Sequence, residues 1–130
     1  MPELPEVQTV VSMLRPKLVG RRFWAVRLLR HDIHRPPDAP LVSLLTGQRV
    51  RKITRRGKRI IIGLDGGGVL CVRLGMTGRL TVEPSAAAAR PHTHIIIDLE
   101  SSGSVCNSPF SLQLRFSDPR RFGGLWWYDP

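Results

Sequence analysis

Cysteine is almost missing from this 130-residue sequence: Cys71 and Cys106 stand alone and far apart, so no CxxC pair and no zinc ribbon or finger is encoded. Long apolar runs are missing too. The strongest, Ile60–Ile62 and Ile95–Ile97, fall far short of the roughly 20 residues that span a bilayer. The opening Met-Pro-Glu-Leu-Pro-Glu carries two acids where a secretory signal needs basic residues. A soluble, cytoplasmic protein that does not engage membranes is therefore expected. Acidic residues are scarce, 10 against 20 Lys and Arg, and aromatics make up 6%. What is present is apolar enough, at 42%, to exclude a wholly disordered chain. The length suits one domain spanning residues 1–130 that buries about two-thirds of its unfolded surface.

The net charge of +10 is unevenly spread. Residues 21–60 hold twelve bases and two acids, and the rest of the chain is close to neutral. Such a stretch suits a polyanion, because each phosphate met by Lys or Arg releases condensed counterions. On charge alone the competing readings are a solvated face that aids solubility, and an acidic or membrane partner.

Apolar residues at three- and four-residue steps (Leu4, Val7, Val10, Val11, Leu14, Leu18) predict an N-terminal helix stopped by Gly20, with Pro5 in its first turn and Pro16 ending or bending it before Leu18. The pattern then changes to short runs between turn residues. Strands are predicted at Phe23–Leu29, Arg49–Arg55, Arg59–Leu64, Val69–Leu74, Leu80–Glu83, His94–Leu99, Ser111–Phe116 and Leu125–Tyr128. A short helix is expected over Asp38–Leu45, capped by Asp38, with Leu41, Leu44 and Leu45 inward. Pro84–Pro91 and Ser101–Pro109 read as exposed loops. Many short strands with glycine-rich turns favour a sandwich or barrel.

Chemistry begins at the second residue. Removal of Met1 leaves Pro2 as a secondary amine, and an α-amino group titrates near 7.7–8.0 against about 10.4 for lysine. A neutral amine can attack an aldehyde-level carbon and form an iminium. Glu3 is adjacent and Glu6 one helical turn on, so carboxylates stand near for proton transfer. Prolines and acids are also ordinary in a first helical turn. Arg55-Arg56-Gly57-Lys58-Arg59 can present Lys58 beside a phosphate; Leu74-Gly75-Met76-Thr77-Gly78 sets a thioether on a glycine-flanked turn. Asp118-Pro119-Arg120-Arg121-Phe122-Gly123 joins guanidiniums to an aromatic ring, the equipment for opening a base stack. Taken singly, each also reads as a charge run, a core methionine or a surface turn.

Together and in this order, Met-Pro-Glu-Leu-Pro-Glu-Val, Arg-Arg-Gly-Lys, Leu-Gly-Met-Thr-Gly and Asp-Pro-Arg-Arg-Phe-Gly resemble the formamidopyrimidine-DNA glycosylase family, over the extent of that family's N-terminal domain. Leu4 resembles the oxidised-purine branch rather than the endonuclease VIII branch. The resemblance implies a mainly β fold, a two-layered β-sandwich with the N-terminal helix packed beside it. It implies base excision from damaged double-stranded DNA by a monomer associated with the nucleoid: removal of formamidopyrimidine or 8-oxoguanine, then strand cleavage by elimination. By carry-over, Pro2 attacks the anomeric carbon, Glu3 is the acid/base, Glu6 supports the lesion pocket, and Lys58 is the second proton donor. His92, Arg73, Arg55 and Arg56 fall to DNA contact; Met76, Arg120 and Phe122 fill the space left by the everted nucleotide.

The sequence departs from the family pattern at Gln8, where many members carry an acid, and at Arg73, where a histidine is common. The helix–two-turn–helix segment and the zinc finger that follow in the family are not in these 130 residues, so no cofactor is expected here. A non-catalytic DNA-binding module and, more remotely, an N-terminal-proline tautomerase are the other readings; the tautomerase leaves Asp118–Gly123 and the basic stretch without a role. Of Trp126 and Trp127, at least one is expected in the strand core.

Overall fold

The computed structural model describes residues 4–30, 32–100, 112–119 and 123–130, with side chains from Glu6 onward. Helix α1, Leu4–Leu18, arises from the predicted stripe: Val7, Val11, Leu14 and Leu18 are buried, while Gln8, Ser12 and Arg15 face water. Pro16 lies inside the helix rather than ending it. Its missing N–H removes the helical bond to the carbonyl of exposed Ser12, and the last turn is held by the wholly buried Leu18 and by Val19 N–H donating to Arg15 O at 3.1 Å.

Nine strands follow among the described residues: β1 Phe23–Leu28, β2 His34–Arg35, β3 Val50–Arg56, β4 Arg59–Leu64, β5 Val69–Arg73, β6 Arg79–Pro84, β7 Thr93–Leu99, β8 Leu112–Ser117 and β9 Gly124–Tyr128. They form two sheets, β1-β7-β8-β6 and β2-β9-β5-β4-β3. Neighbours are antiparallel except β2 and β9, which run parallel. Ile95, Ile97, Leu114 and Phe116 of the first sheet share one apolar core with Ile53, Ile60, Ile62, Leu70 and Val72 of the second. Two layers joined face to face in this way make the expected β-sandwich, with α1 lying along β3 and touching β4 and β6 at one flank. The Arg15 guanidinium fastens the helix there, donating to Ile53 O at 3.3 and 3.2 Å.

The structure departs from the sequence expectations at α2 and β2. The second helix, α2, covers Leu41–Leu45 and begins after Pro40, without a side-chain cap, so Asp38 is not its cap. A residue before proline is pushed out of the helical region, and Ala39 therefore ends any extension toward Asp38. Leu41 and Leu45 are buried, and Leu44 is half-buried. Strand β2 went unpredicted because two residues carry no periodicity; pairing of His34 and Arg35 with Leu125 and Trp126 creates it. The expected loop over residues 101–109 lies outside the described residues.

Connectivity gathers several turns at one end of the sandwich. The turn from β5 to β6 and the crossover from β8 to β9 both pass from one sheet to the other, and both do so beside the start of β7. The β3–β4 hairpin turns at the same end, since Arg56 pairs with Arg59 and Arg59 with Arg73. The basic stretch is consequently split. Arg55, Arg56, Lys58 and Arg59 stand at this end, whereas Arg22 and Arg49 bridge at the opposite end, where Arg22 lies 3.4 Å from Glu100 and Arg49 donates to Gly20 O.

The register predicts unequal costs within β4. Ile62→Ala, at a wholly buried site, should lower stability by about 2–5 kcal/mol, and Ile61→Ala, on the half-buried outer face, by less than half of that. Urea denaturation of the two variants checks the assignment.

Candidate functional site

At the end where the two crossovers gather, two glycine-bearing segments approach so closely that neither has room for a side chain. A Cβ on Gly78 would lie 2.1 Å from Leu74 O, and one on Gly123 2.2 Å from Arg73 O. Gly78 N–H donates to Leu74 O at 2.8 Å, closing the turn that carries Met76. The start of β9 is thus pressed onto the backbone at the end of β5.

Asp118 locks this contact. It is fully buried, and its Oδ1 accepts from the Thr77 hydroxyl at 2.5 Å while Oδ2 accepts from Gly123 N–H at 2.8 Å. Its own N–H donates to His92 O at 3.1 Å, and its carbonyl accepts from His94 Nε2 at 2.7 Å. A carbonyl can only accept, so His94 carries its proton on Nε2. One residue therefore joins the Met76 turn, the segment entering β7, β7 itself and the start of β9. His92 has φ 62°, a left-handed conformation that costs a non-glycine residue roughly 1–2 kcal/mol and persists only where its surroundings hold it.

These ties border a cleft of about 650 Å³. Glu6 reaches it from the first turn of α1, exposed Met76 from the β5–β6 turn, Arg79 from the start of β6, Arg90 and His92 from the segment before β7, and Pro119 from the crossover. Among the described residues that line it, two arginines stand against one carboxylate, which suits an anionic ligand. Among the described residues no group of three His, Cys, Asp or Glu side chains could hold a metal ion.

Of the residues singled out from the sequence, Glu6, Met76 and His92 converge on this cleft. Lys58 is exposed on the β3–β4 turn and does not line it. Arg55 connects that hairpin to α1, donating from Nε to Gln8 Oε1 at 3.2 Å and from Nη1 to Gly57 O at 2.9 Å. Gln8, in place of an acid, thus keeps an acceptor for Arg55 without a charge. Arg73 is half-buried at the end of β5, and Arg56 lines a separate concavity with Arg59 and Tyr128 on the outer face of the five-stranded sheet. Pro2, Glu3, Arg120 and Phe122 lie outside the described residues. Trp127 is core, with its indole N–H donating to Asp129 at 2.7 Å; Trp126 is half-buried, with the Arg59 guanidinium 5.8 Å from its ring centroid. Cys71 is buried on that outer face, and burial pushes its thiol up despite the nearby Arg59.

The sequence reading missed Asp118, Thr77 and His94 as organisers. Asp118 read as an ordinary turn signal before proline; nothing local reveals that its carboxylate turns inward.

This pair of locked crossovers over a basic cleft defines a sandwich domain built to present loops from one end. The formamidopyrimidine-DNA glycosylase N-terminal domain model matches residues 1–125, and the chain belongs to that family. It is 43% identical over 127 residues to a formamidopyrimidine-DNA glycosylase of Xanthomonas campestris pv. campestris, covering 98% of this chain and 44% of that protein. A counterpart from Xanthomonas axonopodis pv. citri is 42% identical over the same length. The fold matches Lactococcus lactis Fpg in complex with DNA containing an abasic site, with a TM-score of 0.85 and 26% identity over 98% of this chain and 44% of that one. An Fpg complex with DNA containing N7-benzyl-Fapy-dG gives 0.85 and 27%. The chain spans less than half the length of these relatives.

The Asp118 lock yields a measurable coupling. Asp118→Ala should destabilise the domain by about 2–5 kcal/mol, since both the Thr77 hydroxyl and the Gly123 N–H lose their acceptor. Thr77→Val should cost about 1–2 kcal/mol alone and almost nothing on top of Asp118→Ala. Asp118→Asn should be milder, because the Thr77 hydroxyl can turn and accept from the amide. A double-mutant cycle by chemical denaturation measures these values.

Proposed function

We propose that this chain is the catalytic domain of a base-excision DNA glycosylase and abasic-site lyase acting on oxidised purines in duplex DNA. The convergence of Glu6, Met76 and His92 on one basic cleft, beside two crossovers fixed by Asp118, carries the reading. Both segments that flank the cleft belong to motifs suited to entering a base stack, Met76 in one and Arg120 with Phe122 in the other.

In this reading the Pro2 nitrogen attacks C1′ of the everted nucleotide as the damaged base leaves. Glu3 delivers a proton to the ring oxygen, and the opened sugar becomes an iminium on Pro2. Loss of a C2′ proton then expels the 3′ phosphate, and Lys58 serves as the second proton donor near the lesion. Pro2 stands four residues before Glu6, and a chain of that length cannot separate their Cα atoms by more than about 14 Å. Arg79 and Arg90 meet phosphate within the cleft, and Arg55, Arg56, Lys58, Arg59 and Arg73, at the same end of the sandwich, extend the phosphate contacts beyond it; Arg120 faces the orphaned base and Phe122 wedges the stack. The partner is damaged duplex DNA, met by a monomer in the cytoplasm, and no cofactor enters the reaction.

Borohydride trapping on duplex DNA with an abasic site tests the chemistry. A covalent adduct should form, and retaining Met1 or acetylating Pro2 should abolish it while the fold survives. Undiminished trapping by the blocked protein would move the nucleophile to a lysine, Lys58 first. Salt-sensitive binding with no adduct from the free amine would favour the non-catalytic DNA-binding module.

Electrostatics offers a second check. Arg56→Gln, at the cleft end, should reduce the slope of log affinity against log salt by about one contact, while Arg51→Gln, near the far end of β3, should leave it unchanged. Titrations of undamaged duplex at several salt concentrations measure both. Phe122→Ala should slow excision of a paired 8-oxoguanine by at least about tenfold yet spare cleavage at a preformed abasic site, because unstacking costs a few kcal/mol only when a base must be everted. Single-turnover assays on the two substrates show the difference.

A further inference from the structure

The outer face of the four-stranded sheet holds a buried cation that the cleft does not use. Arg115, in β8, is 4% exposed, and its strand neighbours Leu114 and Phe116 point into the core. Its guanidinium donates from Nε and Nη2 to Gln113 Oε1 at 3.0 and 2.8 Å. Nη2 also donates to Ala87 O at 2.8 Å and Pro84 O at 3.3 Å, and Nη1 to Ala88 O at 3.4 Å. Gln113 is itself oriented by donating to Asp98 Oδ1 at 2.6 Å, and Glu83 lies 4.0 Å from Nη1.

A guanidinium keeps its charge, so its burial has to be offset by acceptors arranged around its planar fork. Here three of those acceptors are backbone carbonyls of one loop. Residues 84–88 are therefore gripped through their main chain, which is why a run of four alanines, Ala86–Ala89, suffices at this point of the sequence. The same connection between β6 and β7 continues into Arg90 and His92, which line the cleft. Thr93 Oγ1 donates to Arg90 O at 2.6 Å, and Asp118 N–H holds His92 O at 3.1 Å. The connection is thus fastened at its exit by Asp118 and at its entry by Arg115.

We propose that Arg115 is a positioning residue for DNA binding: without touching nucleic acid, it sets the entry of the 84–92 connection and so holds Arg90 and His92 against phosphate. This rests on the reading of the cleft as a DNA site. Lysine in its place retains the charge but has no planar fork to reach Gln113 and the three carbonyls together.

The test uses the full chain with Arg115→Lys, and a second variant, Ala87→Gly with Ala88→Gly, which loosens the loop without disturbing any buried group. Three quantities are measured: amide hydrogen exchange, affinity for duplex DNA carrying a tetrahydrofuran abasic analogue at several salt concentrations, and borohydride trapping at saturating abasic DNA. For Arg115→Lys, exchange over residues 86–92 should speed up by about tenfold, with β4 and β5 unaffected. Affinity should fall by about tenfold and the salt slope by about one to two contacts, while trapping at saturation is retained. The glycine variant should shift affinity and slope in the same direction by a smaller amount, and it decides the matter if Arg115→Lys does not fold. Faster loop exchange with unchanged affinity and slope would overturn the proposal and leave Arg115 a purely structural residue. Wild-type protein with no affinity for the duplex would instead overturn the reading of the cleft as a DNA site, whatever the loop does.

Discussion

A single buried carboxylate holds together the end of this domain where its crossovers meet. Among the described residues, Asp118 engages Thr77 and Gly123 through its side-chain oxygens and His92 and His94 through its backbone. A buried acid with fewer partners is costly, and removing any one of these bonds leaves a polar group stranded. The constraint reaches outward from there. Gly78 and Gly123 must lack side chains so that the two crossovers can approach, and His92 must accept a left-handed backbone. The result is a rigid rim on which Met76 is displayed to solvent.

That rim explains how an otherwise ordinary sandwich acquires a working face. The shared core draws on both sheets and on α1, and supplies cohesion without regard to direction. Direction comes from topology: the β5–β6 and β8–β9 connections cross between layers beside the same end of β7. The first turn of α1 brings Glu6 to that end, and Arg55 fastens the β3–β4 hairpin to the same helix through Gln8. Residues distant in sequence become neighbours because the chain repeatedly returns to one edge of the fold.

Legibility in the sequence followed the range of the interaction concerned. Strand β4 emerges at its predicted bounds, and helix α1 follows its predicted apolar stripe, running on through Pro16, because burial repeats along them with a strand or helical period. Strand β2 and the start of α2 did not, since one exists only through pairing with β9 and the other is displaced by Pro40. The motif residues Glu6, Met76 and His92 were legible as a set, whereas the groups that hold them in place were not. Asp118 looks like a turn residue, and Arg115 is one more residue of a predicted strand, until the chain folds around them. The basic stretch misleads in the opposite sense: contiguous in sequence, it is split between the two ends of β3 once that strand extends.

The grip of Arg115 on backbone carbonyls has an evolutionary side. A loop recognised by side chains must preserve them, but one recognised by its peptide groups is free to exchange residues so long as its length and path persist. Neutral drift over Ser85–Ala89 therefore costs the domain little, and selection is displaced onto an arginine two strands away in sequence and hidden from solvent. Variation along this part of the rim then tells little about the cleft beside it; the informative position is the anchor beneath it.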